Sequence, residues 1–145
     1  MNYSDFMNMM LSALTYQTIS GTTTFKHVEW CLTDEPELDQ STIYPAAWVI
    51  PIPFNFRMSS MRTLTDFTCR IYVAAYYGTD RTKRLAAYNT CMNAIAKLVQ
   101  DLENKYNIWG IQYPIIATPV LLFDNNVDGW YVEITTADQY DCLVD

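Results

Sequence analysis

His27, Glu29 and Cys31 occupy alternate positions of one short run, and between them they offer a base, an acid and a thiol. On a strand, alternate residues share a face, and a thiol beside an imidazole is the pairing from which nucleophilic catalysis is built. Two considerations weigh against that chemistry. Alternate residues spread out along a strand instead of converging, and no neighbouring run supplies donors for an oxyanion. The plainer reading is a solvent-facing His27 and Glu29 beside a packed Cys31, and the chain is expected not to be an enzyme.

Other site chemistries fall away on residue type and spacing. Cys31, Cys69, Cys91 and Cys142 contain no Cys-x-x-Cys pair and His27 is the only histidine, so no Cys/His zinc set is assembled. The thiols read as reduced and mostly buried, with disulfides left open by the even count. Asp124 to Glu133 is rich in oxygen ligands and has Gly129 at the sixth place, as a calcium loop requires. The twelfth place, which should carry a bidentate acid, is Thr135. The run reads instead as a hairpin turn using Asn and Asp-Gly for positive φ. Gly21, Gly78, Gly110 and Gly129 stand far apart, which removes the glycine motifs that cradle phosphates. No cofactor and no metal are expected.

Composition narrows the classes further. The 145 residues suit one domain, 1–145, ending in an acidic tail at 138–145. Half are apolar, enough to build a core. A net charge of −7 argues against a nucleic-acid binder with a basic stripe. No apolar run is long enough to span a membrane, and the first twenty residues lack Lys and Arg, so neither a membrane partner nor a signal peptide is expected. Eleven Tyr and four Trp, with only 17% charged residues, suit a surface that meets another protein.

The elements that must position these residues follow from periodicity. Tyr3, Phe6, Met7, Met10, Leu11 and Leu14 form a stripe that predicts a helix over 3–17, capped by Asn2 or Ser4 and followed by a loop over 20–24. Strands are expected at 24–32, with Val28, Trp30 and Leu32 on one face, and at 45–56, where Ala46, Trp48, Ile50, Ile52, Phe54 and Phe56 alternate. Residues 57–66 read as a polar loop. A third strand spans 67–77, with Phe67, Cys69, Ile71, Val73, Ala75 and Tyr77 opposite Arg70, Tyr72 and Tyr76. Gly78-Thr79-Asp80 is a turn and cap. It opens a long helix over 81–106 on the repeat Leu85, Tyr88, Cys91 or Met92, Ile95, Leu98 or Val99, Leu102 and Tyr106. A strand at 114–123 and a returning strand with Trp130, Val132 and Ile134 close a hairpin. The order α-β-β-β-α-β-β predicts an α+β fold. Its sheet is mostly antiparallel, a meander plus a C-terminal hairpin, with a short N-terminal helix and one long helix packed on one face.

Several residues on this frame are candidates for a subunit interface. Pro51 and Pro53 remove two amides facing the same lateral side, which marks their strand as an edge over at least its second half. Arg81, Lys83 and Arg84 crowd the first turn of the long helix against its dipole. They read as solvated charges or as partners of Asp66 or the acidic tail. Alternatively they meet an acidic patch on a neighbouring copy, for which the segments 34–39, with Asp34, Glu35 and Glu37, and 138–145 are natural partners. Arg57 and Arg62 in the loop join this set. The tryptophans belong to the core by default, except Trp109, which sits in the bend after the helix and suits an exposed anchor.

The opening helix, the Tyr-rich strand 71–77, the helix Arg81–Tyr106 and the closing hairpin with Asp128-Gly129-Trp130 together resemble a known group. It is that of the tail-terminator and tail-completion proteins of bacteriophages and the related head–tail joining, or neck, proteins. The resemblance spans nearly the whole chain and is one of layout, and no residue role is carried over. It implies a virion component, made in the host cytoplasm, that forms a ring of six copies rather than twelve. Tail-tube or portal and neck proteins would flank the ring, and DNA would pass through it without specific binding. An acidic subunit suits such a channel, because a cationic lining would grip phosphates. Its contacts would be heterologous, one face against a different face of the next copy. The alternative, from another class, is a small binding or regulatory module that uses its sheet to hold a protein partner or ligand.

Overall fold

The structure, a computed structural model, describes residues 1–31, 42–59, 62–78, 80–120 and 126–140. The first helix, α1, spans Tyr3–Thr15. The Asn2 side chain accepts from the Asp5 amide at 2.8 Å, and the Asp5 carboxylate accepts from the Asn2 amide at 3.3 Å. This reciprocal cap satisfies two donors that the helix leaves open. Phe6, Met7, Met10, Ala13 and Leu14 are its buried face. The loop expected after it holds a small hairpin, β1 (Thr18–Ile19) and β2 (Thr22–Thr23), closed by Ser20 and Gly21, both at positive φ. Two consecutive positive φ values match the twist of the strands that such a turn joins.

The main sheet comprises β3 (His27–Trp30), β4 (Ala46–Pro51), β5 (Asn55–Ser59), β6 (Arg62–Tyr76), β7 (Thr118–Val120) and β8 (Val127–Tyr140). Its order is β3-β4-β6-β8-β7, and β5 pairs with β6 past the end of β4. The sheet is mostly antiparallel, as expected. One pairing departs from the meander: β3 runs parallel to β4, from His27 opposite Ala46 to Trp30 opposite Val49. Parallel neighbours require a long connection, and the stretch from 31 to 45 supplies it.

This pairing refines the reading of the proline strand. Over Ala46–Val49, β4 is flanked by both β3 and β6 and is an inner strand; past Val49 only β6 pairs with it among the described residues. The Cys31 amide donates to the Val49 carbonyl at 3.0 Å. Pro51, two residues on, turns its missing amide to the same side, beyond the last β3 pair. Pro53 lies in the irregular link from β4 to β5.

Of residues 57–66, expected as a loop, 57–59 belong to β5 and 62–66 to β6, and the two strands pair as a hairpin. Phe56 faces Thr65 and Met58 faces Thr63 across it. β6 holds its extended form this far because β8 flanks its other side out to Leu64 opposite Tyr140. Polar composition hides such a strand, since the pairing that stabilises it is non-local. β8 is likewise longer than expected and takes up residues 138–140 of the acidic tail, after a register shift opposite Asp66. Residues 141–145 lie outside the described residues. Of the expected strand 114–123, Thr118–Val120 is β7.

A 3₁₀ turn, Arg81–Lys83, leads into α2, Arg84–Asn104. Its buried stripe is Ala87, Cys91, Ala94, Ile95, Leu98 and Leu102. Leu85 was expected in that stripe but is 80% exposed, and Met92 also faces outward. The small side chains of Ala87, Cys91 and Ala94 let the helix sit close to the sheet, and that close approach sets its rotation. Both helices pack on one face, over Val49, Phe67, Cys69, Ile71, Val73, Val132 and Ile134. The opposite face carries a second apolar cluster of Ala46, Trp48, Ile50, Tyr72, Ala74, Val120 and Val127. The alternation through Ala46, Trp48 and Ile50 is therefore real, but it points away from the helices. It resets in the irregular 52–54 link, and Phe54 stacks on Tyr3 and meets Phe67 edge-on, on the helix side.

Candidate functional site

The charged candidates separate into paired and unpaired groups. Arg84, on the first turn of α2, reaches the Asp128 carboxylate on β8 through two bonds, Nε at 2.8 Å and Nη2 at 3.1 Å. Asp128 is only 2% exposed, so a bidentate cation is what makes its burial tolerable. Among the described residues the partner of Arg84 is Asp128 and not Asp66; the side chains of the acidic tail lie outside the described ones. Asp66 is held by Arg57 across the β5–β6 hairpin, at 2.9 and 3.3 Å. Two residues expected at a subunit contact thus have partners inside the subunit. Lys83 makes no ion pair among the described residues, but its charge acts on Asp80, whose carboxylate accepts from the amide and hydroxyl of Thr82. Those two bonds hold the Asp80 carboxyl below its usual range. Arg62 opens β6 and Arg81 opens the 3₁₀ turn. Asp34, Glu35 and Glu37 lie outside the described residues.

The Asp128-Gly129 pair is part of a strand and not the turn that its composition suggests. Gly129 faces Ala74 in the β6–β8 ladder, and a Cβ placed on it would lie 2.0 Å from the Val73 carbonyl oxygen. Glycine is needed there for close approach, and the positive φ falls on Asn126 instead. Next along β8, Trp130 donates from Nε1 to the Tyr88 carbonyl at 2.9 Å and packs edge-on against the Tyr88 ring. α2 is thereby held to the sheet by the Arg84–Asp128 ion pair and the Trp130 indole bond, with the Cys91 thiol donating to the Asp128 carbonyl at 3.8 Å.

His27 bonds to Glu29 at 3.0 Å across their shared strand face, while Cys31 packs with the second-face cluster. Cys69 and Cys91 are buried, as expected of structural thiols. Burial, with the Asp128 charge adding to it, pushes the Cys91 thiol up to about 12, which suppresses its reactivity. Cys142 lies outside the described residues.

Two surface features stand out where partners can reach. The first is the β5–β6 hairpin, whose Phe56 and Met58 are 61% and 73% exposed. Trp109 is 53% exposed, as its place in the bend suggested, and Tyr113 and Ile116 further along the chain are also exposed. Trp30, expected in the core, is instead about half exposed, because it sits at the end of the outer strand β3. The second feature is a cavity of about 560 Å³ at the far end of β6. Tyr44, Tyr76 and Tyr77 form one side, Ala86 and Thr90 of α2 the other, and Lys83 stands at the helix start. Tyr44 and Tyr76 stack, with ring centroids 6.4 Å apart. The Arg84 guanidinium lies over the Tyr77 ring at 5.5 Å.

No protein-family model and no curated protein sequence matches the chain. Sequence reasoning missed the Arg84–Asp128 bridge and the cavity. The bridge joins residues distant in sequence, and its only local sign is an acid beside a glycine, which reads equally well as a turn. The tyrosines at 44, 76 and 77 were visible, but nothing in their spacing brings Tyr44 to the end of β6.

Proposed function

We propose that this chain is a non-enzymatic structural subunit of a bacteriophage particle. It forms a ring at the tail end or head–tail junction through which DNA passes. The observation that carries the reading is the β5–β6 hairpin. It runs past the end of β4 and presents Phe56 and Met58 to solvent. Large apolar side chains at a hairpin of this kind are the chemistry of a contact with another subunit. The layout of helices on one face of a mostly antiparallel sheet, and the acidic balance of the chain, support the same reading.

The test is direct. Electron microscopy and solution mass are measured on the concentrated protein, and again after co-expression with a tail-tube protein. Closed rings are expected in at least one condition. A monomer in both would sink the proposal. The double substitution Phe56→Asp with Met58→Asp should leave the circular dichroism unchanged and remove the rings. A second reading, a binding module, is favoured by one observation, the cavity at the end of β6.

A further inference from the structure

We infer that the outward face of α2 on the next copy is the surface that receives the β5–β6 hairpin. This rests on the ring reading and names the partner face of its contact. A surface helix ordinarily carries charge on its outer side. From Leu85 to Ala96, α2 has no Asp, Glu, Lys or Arg at all. Leu85 and Met92, two turns apart, are 80% and 49% exposed on it, and Asn89 and Ala96 complete the exposed stripe. The charges that bound the stretch are neutralised inside the subunit, Arg84 by Asp128 and Lys97 by Asp101. An apolar, charge-free outer face with an exposed methionine has the composition of an interface core.

The hairpin matches it. Phe56 packs against Phe54, with ring centroids 5.3 Å apart, and lies opposite the buried Thr65. Met58 accepts from the Thr63 hydroxyl at 3.4 Å on the same face. Arg57, between them, falls on the other face of β5 and is held by Asp66. The two surfaces can therefore be buried on each other without stripping water from a charge. The exposed Tyr113 is a poorer mate, because it donates to the Glu103 carboxylate, which a contact there would desolvate.

Position decides that the contact is between copies. The first turn of α2 is tied to Asp128, which faces Ala75 of β6, whereas Phe56 faces Thr65. The ten residues between those two points of β6 span roughly 33 Å. The hairpin of one subunit thus meets this end of α2 only on a neighbour, and a contact between two unlike faces repeats from copy to copy.

The experiment uses the full chain under the condition in which rings form. Leu85→Asp with Met92→Asp, both at exposed positions, should leave the circular dichroism unchanged and remove the rings. Met58→Cys with Met92→Cys, treated with a short bismaleimide, should give a ladder of covalent multimers beyond the dimer on a denaturing gel. The unmodified chain and each single variant are the controls and should give no such ladder. Rings that survive Leu85→Asp with Met92→Asp, or a ladder no longer than that of the controls, would overturn this contact and leave the ring standing. Absence of rings from the unmodified chain overturns the ring itself, and this contact with it.

Discussion

Arg84 and Lys83 show how two adjacent cations can carry different roles. Arg84 closes on a carboxylate that is almost wholly buried, whereas Lys83, one residue earlier, makes no ion pair among the described residues and acts only through space on Asp80. Arg84→Glu is therefore a poor test of assembly, because it places a second acid against Asp128. We expect Arg84→Ala, which strands the Asp128 carboxylate, to lower the urea midpoint more than Asp128→Asn, which leaves only an exposed cation behind. Equal midpoints would contradict the stranded-charge account. Tyr3 offers a contrasting case. Its hydroxyl is buried with no hydrogen-bond partner among the described residues, and burial, then the Cys69 thiol, raises it to about 12. Tyr3→Phe should raise stability by ~1 kcal/mol at neutral pH. Tyr3 and Cys91 both ionise at higher pH in the fold than in the unfolded chain. Their contribution is complete below about pH 9 and is lost as the pH rises towards 12. Tyr3→Phe should flatten that alkaline loss in denaturant titrations. None of these pairings was legible beforehand. A sequence shows that an acid and a cation exist, but only the ladder register brings α2 over Asp128.

At the scale of elements, what could be read was what a single face determines. The alternation from Phe67 to Ala75 and from Trp130 to Ile134 places those residues under the helices, as period-two patterning requires. The capped first helix was also legible, because Asn2, Asp5 and the apolar stripe are all local. The pairing of β5 with the start of β6 was not, since Phe56 and Met58 stand among polar residues and the extended form depends on β8, distant in sequence. Nor was the rotation of α2, which follows from small residues fitting close to the sheet more than from large ones seeking burial. The junction of β6 and β8 is the tightest of these fits. Gly129→Ala would drive a methyl group into the Val73 carbonyl. It should cost at least the upper end of the ~1–3 kcal/mol seen for overpacking. Thermal unfolding measures this, and a change of a few degrees or less would contradict the close approach.

For the whole molecule, the two ends of the sheet differ in kind. One end carries an exposed apolar hairpin, the other a tyrosine-lined cavity. Unlike ends suit head-to-tail contacts, which close into rings when the rotation between copies permits. In such a ring every subunit must supply its own hairpin. A minority of Phe56→Asp, Met58→Asp subunits mixed with the unmodified chain should therefore reduce closed rings out of proportion to their share. Counting particles by microscopy checks this, and a loss that is merely proportional would argue against closure. β6 joins the two ends as one uninterrupted strand of fifteen residues, roughly 50 Å of contour. Its hydrogen bonds to β4, β5 and β8 lie across its length. A pull on the hairpin loads those bonds side by side, in shear, and they must give way together. The molecule is thus built as a tie rod, stiff along the one direction in which a neighbour gripping each end would stretch it.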